Sequence, residues 1–395
     1  MSVKLGVVLP WFPSQATGQL TEAVFIRREL KRLVERGNQV VVMAARRSGI
    51  EEYEEMDGIP VYRFPTYVLP GLRYDMPHFS RLERMIVGIC YKYDLEVIDF
   101  VNSQFLTSVP AWRIKKLVNV STVVTVNGLP GINWFSGVRS VDILGSLHTR
   151  FIGKRIIKSA DGVRLLAKDM LPWIKGFGVP EKKMQVILRS VDIETFRPST
   201  DHDTIRSEFG LSPDDFMVLW VGRLVHPLKM KGVNYLLEAV DDVISVHPNV
   251  RLVVVGDGDG REETEKAART IGKRVIFTGV RNDVPNFMRT ANVLVLPSMG
   301  EGCPNVVLEA IASGIPVIAS RVGAVPELVI DGHNGFIVPP GKAHDITAAI
   351  VKLLENRQLG KDMGIQGRLH AEKQFSQDII CTKLEQFYAE IVLGG

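Results

Sequence analysis

The stretch Ala291-Asn-Val-Leu-Val-Leu-Pro-Ser-Met-Gly-Glu301-Gly-Cys-Pro-Asn-Val-Val-Leu-Glu309-Ala-Ile-Ala-Ser-Gly314 holds a strand, a turn and a helix in succession. Its first part, Ala291 to Pro297, is a short apolar run of the length of a buried strand. Val306 to Ser313 has helical character, and Gly314 stops it. Glu301 therefore stands beyond the strand's end, next to the turn Gly302-Cys-Pro-Asn305, and Glu309 falls inside the helix. In an open α/β sheet that edge is where ligands bind. The plainer reading is a turn followed by an acid in the N-terminal half of a helix, where the dipole favours it.

The same alternation runs outward in both directions, which predicts parallel sheets with crossover helices. Towards the amino terminus the strands are expected at Lys4–Leu9, Gln39–Met43, Val61–Phe64, Leu95–Val101, Thr122–Val126, Gly162–Leu166 and Met184–Ile187. A helix from about Leu20 to Arg36 joins the first two. The pattern breaks at Asp192-Ile-Glu-Thr-Phe-Arg-Pro-Ser-Thr, which reads as a linker. A second series follows at Met217–Val221, Arg251–Val255, Val275–Phe277, Val293–Leu296, Pro316–Ala319 and Phe336–Val338, with a last helix at Gln377–Val392. At 395 residues the chain exceeds the roughly 250–300 at which single cores stop growing. The fold class is α/β, with two doubly wound domains at 1–192 and 193–376 and a final helix at 377–395. Two such domains leave a cleft between the carboxyl ends of their strands, the expected site of a ligand.

Composition narrows the partners. A net charge of +4 and a pI near 8.8 suit an anionic substrate or membrane surface and are too mild to argue for nucleic acid. Cys90, Cys303 and Cys381 have neither disulfide nor metal spacing, so a reducing cytoplasm is expected. The opening apolar run is too short for a secretory signal and reads as a first strand. No uncharged stretch reaches membrane-spanning length. None of the eight histidines falls in a nucleophile or metal pattern.

In the second half, the strand ending at Val221 is followed by Gly222-Arg223, and Lys231-Gly232 is expected to open the next helix. A guanidinium and an ammonium beside a helix N-terminus suit a diphosphate; solvated loop charges are the alternative. Gly256-Asp-Gly258-Asp-Gly260 imitates a dinucleotide fingerprint, but three acids (Asp257, Asp259 and Glu262) crowd the place of a pyrophosphate. It reads as a tight strand-to-helix turn. An ionised carboxylate can accept from two vicinal hydroxyls, and sugars and riboses offer such pairs. Backbone N–H groups near Cys303–Val306 are placed to receive phosphate or sugar oxygens. Together these groups suit a nucleotide-diphosphate sugar.

Residues 301–327, with Asp331-Gly-His-Asn-Gly-Phe-Ile-Val-Pro-Pro340, Gly222-Arg223, Lys231-Gly232 and the turn at Gly256, resemble the Glu-x7-Glu donor site of family 4 retaining glycosyltransferases. The likeness is contiguous over about residues 215–345. It implies the GT-B fold, with Arg223 and Lys231 on the donor diphosphate and Glu309 on the ribose hydroxyls. It places Glu301 and the backbone of Gly302, Cys303, Pro304, Asn305 and Val306 on the donor sugar. Backbone near Val280 and Arg281 would read the base, and the last helix would return to the N-terminal domain. No cofactor and no metal are expected beyond the donor itself.

The N-terminal half departs from the family pattern. Only Gly18 remains of a glycine-rich loop after the first strand. Asn127 stands where many members carry a histidine facing the donor sugar, and asparagine cannot take a proton. Arg189-Ser-Val-Asp192 replaces the usual Asn-Gly-Val-Asp, and Ala167 a usual serine. The segment Thr66–Val87 mixes apolar residues with Arg73, Arg81 and Arg84. It suggests contact with a membrane or lipid-linked acceptor, against a lid or a packing loop. The expected activity is retaining, metal-independent hexosyl transfer to a sugar, glycolipid or lipid-carrier hydroxyl. The alternatives are a sugar-nucleotide epimerase and a non-catalytic nucleotide-sugar-binding protein.

Overall fold

The computed structural model describes residues 2–14, 24–47, 49–67, 76–101, 106–133, 135–199, 203–225 and 227–394. The chain forms two compact units. The first comprises Met1–Asn133, Val141–Ser190 and Gln377–Gly395; the second comprises Val191–Ser376 with the short segment Trp134–Ser140.

The first unit is built on eight strands: β1 (Lys4–Leu9), β2 (Gln39–Ala45), β3 (Tyr53–Met56), β4 (Ile59–Phe64), β7 (Val97–Val101), β8 (Ser121–Val126), β9 (Gly162–Leu165) and β10 (Met184–Val186). A separate two-residue ribbon, β5 (Thr66–Tyr67) and β6 (Met76–Pro77), lies outside that sheet. The order is β10-β9-β8-β7-β1-β2-β4-β3, parallel throughout except for β3 on β4. The central strands are buried along almost their whole length, and mostly apolar, because helices cover both faces of a parallel sheet. Val97 to Val101, for example, is buried at every position.

The helix Gln377–Gly394 completes this unit. Ile380, Cys381, Leu384, Phe387 and Tyr388 form its buried face and pack with Val3, Leu5, Val7, Leu30, Leu33, Val97 and Val123 in one core. A polar network is enclosed with them. The Tyr388 hydroxyl donates to Asp99 at 2.8 Å, and the Thr125 hydroxyl donates to the same carboxylate at 2.9 Å. Arg164 grips Glu29 through both terminal nitrogens, at 2.9 and 3.3 Å, and donates to the carbonyls of Ile187 and Leu188. Burial pushes the Asp99 carboxyl up, against the pull of Arg164 and the two hydroxyls.

The second unit has six parallel strands: β11 (Phe216–Val221), β12 (Val250–Val255), β13 (Val275–Gly279), β14 (Val293–Leu296), β15 (Val317–Ser320) and β16 (Gly335–Val338). Their order is β13-β12-β11-β14-β15-β16, so the direction of winding reverses between β11 and β14. The helix Pro227–Val246 lays Met230, Val233, Leu237, Val240 and Ile244 on the sheet at helical spacing, against Val218, Trp220, Leu252 and Val254. The chain has the two parallel-sheet α/β domains of the GT-B fold.

Candidate active site

The winding reversal decides where the second unit can hold a ligand. At the carboxyl ends of β11 and β14 the two connections leave in opposite directions and open a crevice. The residues after β11 are Gly222 and Arg223, and those after β14 lead through Ser298 to Glu301 and the helix Asn305–Ala312. The motif residues that are 78 positions apart, Arg223 and Glu301, thus follow adjacent strands.

The backbone that carries Arg223 is clamped on both sides. Gly222 N–H donates to Val255 O at 3.0 Å and Leu224 N–H to Asp257 O at 2.9 Å. The glycine at 256 makes this possible. It has φ +131°, and a Cβ there would sit 1.8 Å from Gly222 O. The Gly256 segment is therefore a packing device for the Arg223 loop. Arg223 itself is exposed.

The next helix begins at Pro227, four residues earlier than the sequence suggested. Proline suits a first helical turn, where its missing N–H costs nothing. Lys231 accordingly lies one turn into the helix, exposed, and Lys229 is in the first turn, half-buried. Gly232 sits against the strand-end loop, where a Cβ would come within 2.4 Å of Pro297 O. The helix face bearing Gly232, next to Lys231 in sequence, thus borders the segment that leads to Glu301.

Glu301 is half-buried, and the Ser298 hydroxyl donates to its Oε1 at 2.7 Å. Gly302 O accepts from Ala324 N–H at 2.8 Å, so the connection after β15 props the turn from behind. Cys303 and Pro304 are buried, and Val306 is half-buried. Glu309 is 8% exposed, one helical turn beyond Asn305. At the start of the helix Val307 N–H donates to Pro304 O at 3.1 Å, and no side-chain hydrogen bond from Pro304 caps it. Two buried acceptors at this edge have no hydrogen-bond partner: Asn305 Oδ1, at the helix start, and Ser320 Oγ, at the end of β15. Ser298 and Ser320 were not singled out from the sequence, because a serine near a strand end carries no periodic signal.

Val280 follows β13 and is 71% exposed. Arg281 is held by Asp283 and Glu208, with nitrogen–oxygen distances of 2.8 and 2.6 Å, and lies over the rings of Phe209 and Phe287. Its side chain fastens the loop, which leaves the backbone there as the part available to a ligand. A cavity of about 500 Å³ opens at the opposite edge of this sheet, among Phe216, Asn292, Pro316 and Arg357, and none of the motif residues lines it.

In the first unit Gly18 lies outside the described residues. Asn127 follows β8, and its amide oxygen accepts from Arg189 at 3.2 Å. Two of the departures from the family pattern are therefore partners, a relation hidden by a separation of 62 positions. Arg63 is a further residue the sequence did not flag. It is 2% exposed on β4 and donates to the carbonyls of Phe12 (3.1 Å) and Pro13 (2.7 Å) while paired with Glu54. It fixes the start of the loop after β1. In the stretch Thr66–Val87, residues 68–75 lie outside the described residues. The helix Phe79–Tyr93 buries Leu82 and Ile86, so that part packs inward.

Residues 215–356 match glycosyl transferases group 1, and residues 23–195 match glycosyltransferase family 4. A sulfoquinovosyl transferase of Arabidopsis thaliana is 31% identical over 92% of this chain and 69% of its own length. The chain is a family 4 glycosyltransferase. A D-inositol 3-phosphate glycosyltransferase of Segniliparus rotundus is 27% identical over 94% of this chain and 85% of its own. Among solved structures, sucrose-phosphate synthase from Thermosynechococcus elongatus superposes with a TM-score of 0.81 at 21% identity, covering 100% of both chains. Anabaena HepE, solved with UDP and glucose, gives 0.75 at 19%, covering 98% of this glycosyltransferase and 99% of HepE. Both are likenesses of fold. Among the described residues no helix is long and apolar enough to cross a membrane.

Proposed function

We propose that this glycosyltransferase moves a sugar from a nucleotide-diphosphate sugar to a hydroxyl acceptor, with retention of anomeric configuration. The second unit would bind the donor and the first unit the acceptor. The observation that carries this reading is the convergence of Arg223, the Lys231 helix, Glu301 and the helix bearing Glu309 on the winding reversal between β11 and β14. The UDP bound in the HepE structure supports a nucleotide donor.

In this reading Arg223 and Lys231 neutralise the diphosphate, with no metal required. Glu309 accepts from the ribose hydroxyls, and Glu301, aimed by Ser298, accepts from the donor sugar. The backbone after β13, at Val280 and Arg281, reads the base. The reaction is a same-face displacement: the bond from the anomeric carbon to the diphosphate oxygen breaks as the acceptor oxygen bonds to that carbon. The acceptor's proton passes to the departing diphosphate. Asn127, engaged by Arg189, has no proton-accepting role, which favours transfer over epimerisation. Incubation with labelled nucleotide sugars separates the possibilities. Net transfer or slow hydrolysis supports the proposal, an isomerised sugar means an epimerase, and binding without turnover means a sensor.

Two substitutions divide the glutamates' roles. Glu309→Gln keeps one acceptor and loses the charge, so the donor's KM should rise about tenfold, the difference between a charged and a neutral hydrogen bond. A 2′,3′-dideoxy nucleotide should bind the variant and the parent alike. If the variant still rejects the dideoxy compound as strongly as the parent does, Glu309 is not on the ribose. Glu301→Gln should instead lower turnover about tenfold while calorimetry gives an unchanged affinity for the bare nucleotide diphosphate, which has no sugar to contact. Equal losses in both measurements would reduce Glu301 to a support for the loop.

A further inference from the structure

The helix Arg139–His148 runs through a π-helical turn, Thr149–Gly153, into the helix Lys154–Ser159. Its amphipathicity is inverted. The inward face is made of small and polar groups. The Thr149 hydroxyl donates to Pro130 O at 3.0 Å. Gly131 lies so close that a Cβ there would meet Asp142 O at 2.1 Å and Ser146 N at 2.5 Å. The outward face is apolar: Val141 is 50% exposed, Leu144 66%, Leu147 48% and Phe151 68%. These four recur every three or four residues and so form one stripe, with Ile143 beside it, 52% exposed. An ordinary surface helix turns such a stripe to its core. Solitary exposed apolar residues are normal, whereas a contiguous set marks an interaction site.

Charge indicates the occupant. Between positions 139 and 158 the chain carries Arg139, Arg150, Lys154, Arg155 and Lys158 against one acid, Asp142. Arg150 and Arg155 are exposed and flank Phe151 along the helix. A second copy of the chain on this face would bring like charges together, which opposes self-association. A bilayer with anionic headgroups answers both features: it accepts the apolar stripe at the headgroup boundary and attracts the basic flank.

We propose that the stripe Val141–Phe151, with Arg150 and Arg155, is a docking face for an anionic lipid surface. The proposal does not rest on the transfer reading, since binding to lipid needs no donor, and either can fail alone. The test is flotation of the full chain with vesicles of phosphatidylcholine, with and without phosphatidylglycerol. The parent should partition into the anionic vesicles at least about tenfold more strongly than into the neutral ones and be released by salt. Leu144→Ser with Phe151→Ser should lower that partition about tenfold or more by removing the largest exposed apolar groups. Arg150→Ser with Arg155→Ser should bring it close to the level on neutral vesicles. All four side chains are exposed, so melting temperatures should not change. The proposal is overturned if the parent floats with neither vesicle, floats equally with both, or loses nothing on either double substitution. It is also overturned if light scattering finds a parent dimer that Leu144→Ser with Phe151→Ser converts to a monomer, which would make the face a self-interface.

Discussion

Arg223→Ala is expected to lower kcat/KM about a hundredfold or more, the scale seen when one charge-stabilising donor is removed from an active site. The size follows from how the residue is mounted. Gly222 and Leu224 are each hydrogen-bonded to the neighbouring connection, and Gly260 N–H donates to Leu224 O at 2.8 Å. A guanidinium carried on such a backbone is pre-organised, so the donor does not have to order the loop on binding. The same rigidity means that no neighbouring group can swing in to replace it. Calorimetry with the nucleotide diphosphate should show the loss, and an unchanged affinity would remove Arg223 from the diphosphate. Lys231→Ala should behave likewise. If Lys229→Ala alone weakens binding, the first turn of the helix Pro227–Val246 supplies the ammonium instead.

Arg164→Met is expected to destabilise the first unit by about 3–5 kcal/mol, the cost of leaving a buried charge uncompensated. Glu29, 8% exposed, would keep its carboxylate without its partner, and the carbonyls of Ile187 and Leu188 would lose their donor. Asp99 would lose the nearby positive charge that opposes the effect of its burial. The double substitution Arg164→Met with Glu29→Leu should recover most of the loss, because an apolar pair of similar volume carries no desolvation cost. Urea unfolding measures both. A single-variant loss under about 1 kcal/mol would place the pair with ordinary surface ion pairs and remove it as a determinant of the fold.

These two residues mark the limit of what the chain discloses when read linearly. The parallel strands were legible because burial on both faces makes each one a mostly apolar run, with at most a few polar positions such as Asp99 or Arg164. Strand β3 was not, because Tyr53-Glu-Glu-Met56 is an antiparallel edge with one covered face and no such run. The positions of Arg223 and Glu301 in the fold were legible because each follows a strand end that the pattern locates. The start of the helix carrying Lys231 was misplaced because His226-Pro227 reads equally as a turn and as a first helical position. The pairs Arg164–Glu29, Asn127–Arg189 and Tyr388–Asp99 left no trace, since their partners lie 135, 62 and 289 positions apart. Nothing in the local sequence of one member names the other.

The last of those pairs has a consequence for biosynthesis. Asp99 sits in the first unit, but its Tyr388 partner and the apolar face beside it belong to the helix Gln377–Gly394. A ribosome that has made residue 190 has finished every strand of that unit's sheet but still has the 186 residues 191–376 to add before the helix Gln377–Gly394 begins. At about 5–20 residues per second this takes roughly 10–40 s. Throughout that interval the groove for the final helix is open and Asp99 has solvent in place of a phenol. The second unit, nearly continuous in sequence, has its whole sheet available earlier than the first can be sealed. The order of completion is thus the reverse of the order of synthesis, and a nascent chain stalled before Gln377 should be protease-sensitive in its first half and resistant in its second.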